Sequence, residues 1–393
     1  MKKLIFDIQI SGHHSEYISH LVNYLCLNKS DDDYIFLVHS EFSVKFRDIV
    51  DKAKSNTKIT WVEITPEEQF EISKSKNIVY LSFITFKLMD AYAKYYEVGH
   101  VYLLYFNTFQ LPLIFYRTHY AISGVLFLQF YRMTKNTLKG KLKYLRKYYT
   151  TKLYAKNKQI KNVFVLNDEK SVHFLNKTFK VNFFKVLADP IPVLLPENGF
   201  NIRDKFSIPS NKKIFLHFGS LDARKGTLEI LEAFNYIEEK YISEITLLLI
   251  GTASSSEFDY KIKTRIKSIT NNNINSHIFY KNEFVSNSKM KSYFEQSDFV
   301  LIPYKNSEAS SGILGHAVAA SKPLISSKHG LIGELIKDNN FGVLLDNITP
   351  ENIAKSIVKG LNTKFNFNNS EFVLNHSADS FVNTIIGSDE DHT

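Results

Sequence analysis

At 393 residues the chain is too long for one ordinary domain and has length for two or three, each with its own core. Hydrophobic residues at 44% and charged residues at 23% are globular proportions, which excludes wholesale disorder. The 49 basic and 40 acidic residues give +9, a balance that points to a polyanion, a membrane surface or an anionic substrate without choosing among them.

A single cysteine, Cys26, excludes an internal disulfide and any multi-cysteine zinc site. The start, Met1 to Asp7, has too short an apolar run for a signal peptide. The longest uncharged stretch, Val98 to Tyr116, holds Asn107, Thr108, Gln110 and Pro112 near its middle, so strand, loop and short helix are expected there rather than a membrane span. A soluble cytoplasmic protein is the default expectation.

In chain order, Lys3–Gln9, Tyr34–His39, Lys58–Ile64, His100–Phe106, Ala121–Phe127 and Asn162–Leu166 read as buried strands. Amphipathic stretches lie between several of them, such as Glu16–Leu27 with Ile18, Leu21, Val22 and Leu25 on one face. Two prolines in Ala188-Asp189-Pro190-Ile191-Pro192, followed by Pro196 and Gly199, mark an interdomain hinge. The alternation then restarts with strand Lys213–Phe218, helix Thr227–Tyr241, strand Ile245–Ile250 and a helix near Phe258–Ile269. It continues with strand His277–Tyr280, helix Ser288–Gln296, strand Phe299–Ile302, helix Gly312–Ala320 and strand Pro323–Ser326. Strand–helix alternation of this kind means parallel sheets. The expected architecture is α/β, with two Rossmann-like doubly wound domains, residues 1–190 and 191–375, facing across a ligand cleft. Residues 376–393 form a tail with the option of crossing back to the first domain.

Two segments carry chemistry. In Phe218-Gly219-Ser220-Leu221-Asp222-Ala223-Arg224-Lys225-Gly226 a strand runs into a short polar loop and then a helix. Arg224 and Lys225 thereby sit at a helix N-terminus, where open amides already favour an anion such as a pyrophosphate. On this segment alone a solvated basic turn accounts for the pattern as well. The second segment runs from Ile302 through Tyr304, Glu308, Ser310, Ser311 and Gly312 to Gly315, His316 and Pro323. Ser310 or Ser311 caps the helix, and small residues at Gly312, Gly315, Ala317, Ala319 and Ala320 allow it to lie close to a sheet or a ligand.

Together with Gly251-Thr252-Ala253 after an intervening strand, these segments resemble the nucleotide-sugar domain of glycosyltransferase family 4. Its members have the GT-B fold. The family shows Gly-Arg-Leu, three variable residues and Lys-Gly, then Glu, seven residues and Glu followed by Ala-x-Ala-x-Gly-x-Pro. Lys225-Gly226, Glu308, Ala317, Ala319 and Pro323 are in frame. The chain departs from the family at Ser220 for the arginine, whose charge Arg224 can replace, at Ser311 for a glycine, at His316 for the second glutamate and at Ser321 for another glycine. The resemblance covers Lys213 to Leu345 well and the amino-terminal half in layout only.

The resemblance implies a retaining glycosyltransferase that uses a UDP- or GDP-sugar and a glycan or lipid-linked acceptor in surface polysaccharide or glycolipid synthesis. The first domain would then bind the acceptor and the second the nucleotide sugar. Lys225, helped by Arg224, would stabilise the leaving diphosphate, and Glu308 would lie near the transferred sugar. Gly219, Ser220, Ser310, Ser311 and Gly312 would line the donor, and His316 would hold the ribose. Because the leaving phosphate helps deprotonate the acceptor in such enzymes, Glu308 is not assigned as a covalent nucleophile.

In the amino-terminal half, Ser11-Gly12-His13-His14 follows the first strand, and a glycine-bearing loop here faces the phosphates and the acceptor in many GT-B enzymes. Gly12 permits close approach to the donor, His14 is the preferred catalytic contact, and His13 and His119 are acceptor candidates. Asp31-Asp32-Asp33 reads as a solvated turn, and neither an essential metal nor another cofactor is expected.

Between residues 131 and 162 lie eleven basic residues and no acid; setting them aside leaves 38 basic against 40 acidic in the rest of the chain. Leu138, Leu142, Leu145, Tyr149 and Leu153 trace one helical face, and Tyr144, Tyr148 and Tyr154 suit a lipid headgroup zone. Two readings fit: a helix that holds the protein to an anionic membrane, or a core helix with a solvated basic back. Nucleic acid is disfavoured, because the charge lies on one helix rather than along a duplex track. The competing functions are a DNA-modifying glucosyltransferase of the same fold and a non-catalytic GT-B subunit that binds a sugar or a partner.

Overall fold

The computed structural model describes residues 1–10, 12–74, 76–272, 275–305 and 308–387. Ser11, Asn306 and Ser307, which belong to the segments above, and the tail from residue 388 lie outside the described residues. The chain divides into two compact units, Met1–Ala188 with the chain from Ala378 onward, and Asp189–Ser377.

In the first unit the described strands are β1 (Lys2–Asp7), β2 (Asp33–Val38), β3 (Ile59–Glu63), β4 (His100–Leu103), β5 (Ala121–Leu126), β6 (Ile160–Leu166) and β7 (Phe184–Leu187). They form one sheet in the order β3-β2-β1-β4-β5-β6-β7, with every pairing parallel. Alternate residues serve two cores: Leu4 and Phe6 enter one cluster, while Ile5 enters the other on the opposite face. Both faces are covered, which is why these strands are nearly continuous apolar runs.

The second unit contains β8 (Lys213–Phe218), β9 (Ile245–Gly251), β10 (His277–Asn282), β11 (Phe299–Ile302), β12 (Leu324–Ser327) and β13 (Gly342–Leu345). Their order is β10-β9-β8-β11-β12-β13, again parallel throughout. Phe215 faces one core, and Ile214, Leu216 and Phe218 face the other. Each sheet reverses its strand order once, between β1 and β4 and between β8 and β11. Ligands in such sheets bind outside the carboxyl ends of the strands at these reversals.

Three local expectations change. The continuous helix Thr227–Tyr241 is broken: it stops at Ala233, and Ile237 turns extended (φ −88°, ψ 129°), so that Phe234 and Ile237 both reach the core. β7 escapes sequence reading because two of its four residues, Lys185 and Val186, face solvent at the sheet edge. The basic helix Leu138–Tyr154 is turned the other way from a core helix. Its Leu138 (75% exposed) and Leu142 (60% exposed) face solvent with Leu145, Tyr149 and Leu153. The tyrosines expected at a lipid zone pack inward instead: Tyr144 and Tyr148 lie edge-on against Phe130, and Tyr154 is fully buried.

After Ser377 the chain enters the first unit as the helix Ala378–Ile386. Phe381 is fully buried there, its ring 4.6 Å from that of Tyr17, with Val382, Ile385 and Ile386 in the same cluster. Phe381→Ala should cost about 3–5 kcal/mol in urea unfolding. A change under about 1 kcal/mol would mean the helix is not part of that core.

Candidate functional site

The loops after β8 and β11 meet at the strand reversal of the second unit. β8 ends at Gly219, whose φ of +101° suits glycine; a Cβ there would stand 3.3 Å from the Lys225 ammonium and 3.7 Å from Ile313. Asp222 caps the turn Ala223–Lys225, its carboxylate accepting the Lys225 amide at 2.8 Å and contacting the Arg224 guanidinium at 3.2 Å. Gly226 (φ +74°) starts the helix Thr227–Ala233 pressed on the other loop, where a Cβ would lie 2.5 Å from the Pro303 carbonyl oxygen. The Lys305 amide donates to the Arg224 carbonyl at 2.9 Å, and the Lys305 ammonium reaches Glu229. The third motif joins through the Leu221 amide, which donates to the Thr252 carbonyl at 2.8 Å.

Lys225 is half-buried, its ammonium 5.4 Å from the centre of the Tyr304 ring. Burial pushes its pKa below the ordinary lysine value; Asp222 opposes the shift and Arg224 adds to it. Burial also pushes the Tyr304 hydroxyl up to about 12. Beneath the loop, the fully buried His217 joins β8, β11 and the following helix. Its Nδ1 donates to the Leu301 carbonyl at 2.9 Å, and its Nε2 lies 3.0 Å from the Thr227 hydroxyl, which also reaches the Asp222 carbonyl at 3.0 Å.

Glu308 is half-buried in the β11 loop, four residues beyond Tyr304. Ser310 donates to Asp189 at 3.4 Å. Ser311 is the N-cap of the helix Gly312–Ala319 and makes no capping side-chain bond, while its carbonyl accepts the Leu314 amide at 3.0 Å. His316 is half-buried one turn into that helix, its ring 5.6 Å from Phe294. Ser220 is exposed beside Gly219.

In the first unit, Gly12 (φ +70°) and His13 precede the helix His14–Leu27 at the carboxyl end of β1. Asp7 is buried at that strand end, where it accepts His14 Nδ1 at 2.7 Å and the Gln9 amide at 2.9 Å. The carboxylate only accepts, so His14 Nδ1 is the donor of that bond. The Tyr105 ring, after β4, lies 5.7 Å from His14. His13 is exposed, 3.5 Å from Glu16. His119 does not join this group: it is exposed at the amino end of β5, and in a parallel sheet that is the edge opposite the His14 loop. Asp32 of the acidic triplet binds the N-terminal amine at 2.7 Å and Lys3 at 3.0 Å, so it is more tied down than a solvated turn.

Sequence reading gave no role to Asp7, Tyr105 or His217, and none to Tyr304 although it lies in the second segment. Asp222 was readable in part, because Asp-x-x-Lys before a helix is a capping spacing.

Residues 199–370 match the family model described as glycosyl transferases group 1. A lipopolysaccharide 1,2-N-acetylglucosaminetransferase of Salmonella typhimurium is 26% identical over 216 residues, 50% of this chain and 54% of that protein. The chain thus spans about half the length of the curated relatives it matches. Among solved structures, the E. coli trehalose-6-phosphate protein bound with UDP-2-fluoro glucose aligns over 100% of this chain and 99% of that one, at TM-score 0.68 and 11% identity. Anabaena HepE, solved with UDP and glucose, aligns over 98% and 95%, at TM-score 0.59 and 12% identity. The chain has the GT-B fold. Within it, the matched family region contains the Gly219–Gly226 turn, Glu308 and the helix from Gly312.

His217 gives this GT-B chain a pH dependence. Burial pushes its pKa down to about 4, whereas the unfolded ring titrates near 6.5. The unfolded state therefore binds the extra proton first, and stability is lost as pH falls from about 6.5 toward 4. At pH 5 this ring accounts for a loss of about 2 kcal/mol. Urea unfolding at pH 7 and pH 5 should show His217→Gln losing that much less than the wild type; equal losses would remove His217 as the cause.

Proposed function

We propose that this protein is a retaining glycosyltransferase that moves a sugar from a UDP- or GDP-sugar to a glycan or lipid-linked acceptor during surface polysaccharide or glycolipid synthesis. The observation that carries the reading is the half-buried Lys225 ammonium at the β8/β11 reversal, next to the left-handed turn at Gly219. A diphosphate brought to that point would add counter-charge to the partly desolvated lysine beyond what Asp222 gives it, and the interaction would strengthen as the leaving group gains charge. Arg224 adds a second cation, Glu308 and the amides from Ser310 to Gly312 serve the sugar and phosphates, and His316 contacts the ribose. In the first unit we assign substrate contact to Gly12, to His13 and to His14, whose Nδ1 is held by Asp7. No metal is given a role.

The family model over 199–370 and the named relatives support transfer chemistry; the donor and acceptor classes are our own reading. Lys225→Ala and Glu308→Ala should each leave less than about 1% of transfer while the circular dichroism and melting temperature stay close to wild type. Wild-type turnover in either variant would refute the site. A thermal-shift screen against UDP, GDP, ADP and CMP identifies the base, since a ligand of the folded state raises Tm. Lys225→Ala should lose that shift.

Among the described residues, no helix is long and apolar enough to cross a membrane. We propose instead that the helix Leu138–Tyr154 rests on an anionic lipid surface. Its solvent-facing leucines and Tyr149 are flanked by Lys139, Lys141, Lys143, Arg146 and Lys152, a pairing of apolar stripe and cations that suits the headgroup boundary. In cosedimentation at low salt, the protein should follow phosphatidylglycerol vesicles and leave phosphatidylcholine vesicles unbound, and Leu142→Ser with Leu145→Ser should abolish pelleting. Equal binding to both vesicle types would end this reading.

A further inference from the structure

β13 ends the second sheet, so one side of it has no neighbouring strand. The Leu324 amide donates to the Phe341 carbonyl and the Lys328 amide to the Leu345 carbonyl. In the parallel register with β12, residues 341, 343 and 345 therefore turn their peptide groups inward. Gly342 and Leu344 each turn an N–H and a C=O to the open side. Both are half-buried and line a cavity of about 380 Å3 on that edge.

The charge around the edge is of one sign. Lys337, Lys359 and Lys364 line the cavity and are exposed, and among the described residues no carboxylate lines it. Asp346, which feels the charge of Lys359, is already paired with Lys328 at 2.6 Å. The lysines stand on opposite faces of the sheet. Lys337 belongs to the helix Gly330–Asp338, whose Ile332 and Ile336 enter the core of Ile214. Lys359 belongs to the helix Pro350–Leu361, whose Ile353 and Ile357 enter the core of Phe215, and Lys364 follows it beside Phe365.

Outward N–H and C=O groups match another extended backbone, which brings both donors and acceptors, whereas an inorganic anion only accepts. Successive residues of an added strand point to opposite faces, so lysines on both faces require consecutive acids. A second β13 edge does not fit, since it would set the two lysine clusters against each other. The chain has two runs of three acids, Asp31-Asp32-Asp33 and Asp389-Glu390-Asp391. The first is engaged: Asp32 binds the N-terminal amine and Lys3, and Asp33 binds Lys58 at 3.2 Å. The second lies outside the described residues.

We infer that the β13 edge takes the run Asp389-Glu390-Asp391 of a second copy of the chain as an added strand. Lys337 meets its carboxylates on one face, and Lys359 and Lys364 meet them on the other.

Sedimentation equilibrium of the full chain at about 50 mM and about 500 mM salt tests the association. The chain should self-associate at low salt and dissociate at high salt. The variant Asp389→Asn/Glu390→Gln/Asp391→Asn should be monomeric. Lys337→Gln/Lys359→Gln/Lys364→Gln should associate about tenfold more weakly. Hydrogen exchange separates strand addition from charge attraction alone. A synthetic peptide of residues 386–393, added to the full-length variant with the neutral tail, should slow exchange of the Gly342 and Leu344 amides. The inference is overturned if the full chain is monomeric at low salt, if association survives the tail substitutions, or if the lysine variant associates as wild type. It is equally overturned if the peptide leaves those two amides exchanging at their original rates.

Discussion

A lysine ammonium drawn part-way out of water sets the terms for the second unit. Desolvation disfavours the charged form of Lys225, and among the described residues Asp222 and the face of Tyr304 compensate. Everything around it keeps the charge where it is. Asp222 fixes the turn through the Lys225 amide, and Gly219 and Gly226 adopt backbone angles open to glycine. Pro303 leaves no room for a Cβ at Gly226, so the two loops stay in contact. His217 joins the strands beneath and is kept neutral by burial, so it adds no second positive charge under the lysine. A site built this way keeps a partly desolvated positive charge at the β8/β11 reversal.

The first unit uses the same reversal of strand order with the opposite electrostatics. At the end of β1 stands a buried carboxylate, Asp7, instead of a lysine, and its partner is an imidazole. A cavity beside that pair is rich in neutral polar atoms. Topology therefore accounts for where each unit can bind, and side-chain charge accounts for what it can bind.

The two-sheet architecture was legible in the sequence because both faces of each sheet are buried, so the strands announce themselves as apolar runs such as Ile245–Ile250. Lys225, Gly219 and Glu308 were legible because they lie in short motifs local in the chain. Tyr304 and His217 act through partners about 80 residues away, on neighbouring strands, and no local spacing encodes those pairings. The helix Leu138–Tyr154 shows a different limit. It has two apolar faces, one of leucines and one of tyrosines, and the sequence cannot rank them. The fold does so by placing Phe130 and Phe179 where Tyr144 and Tyr148 can pack, which turns the leucines to solvent.

Departures from the motif are not all of one kind. Ser321 stands where the resembling family has glycine, and it adopts a left-handed backbone with φ +55° at the end of the helix Gly312–Ala319. That conformation costs a non-glycine residue about 1 kcal/mol. The structure offsets it from a distance in sequence: the Asn369 amide donates to the Val318 carbonyl at 2.5 Å and to the Ser321 hydroxyl at 3.2 Å. The Ser321 and Lys322 amides close the turn on Val318 and Ala317. The turn geometry is thus preserved although the residue that favours it is gone, and Ser321 is a change in how the helix ends. His316 is different in nature. It offers an imidazole where the resembling family has a carboxylate, on the helix Gly312–Ala319, so the difference lies in the chemistry of the side chain.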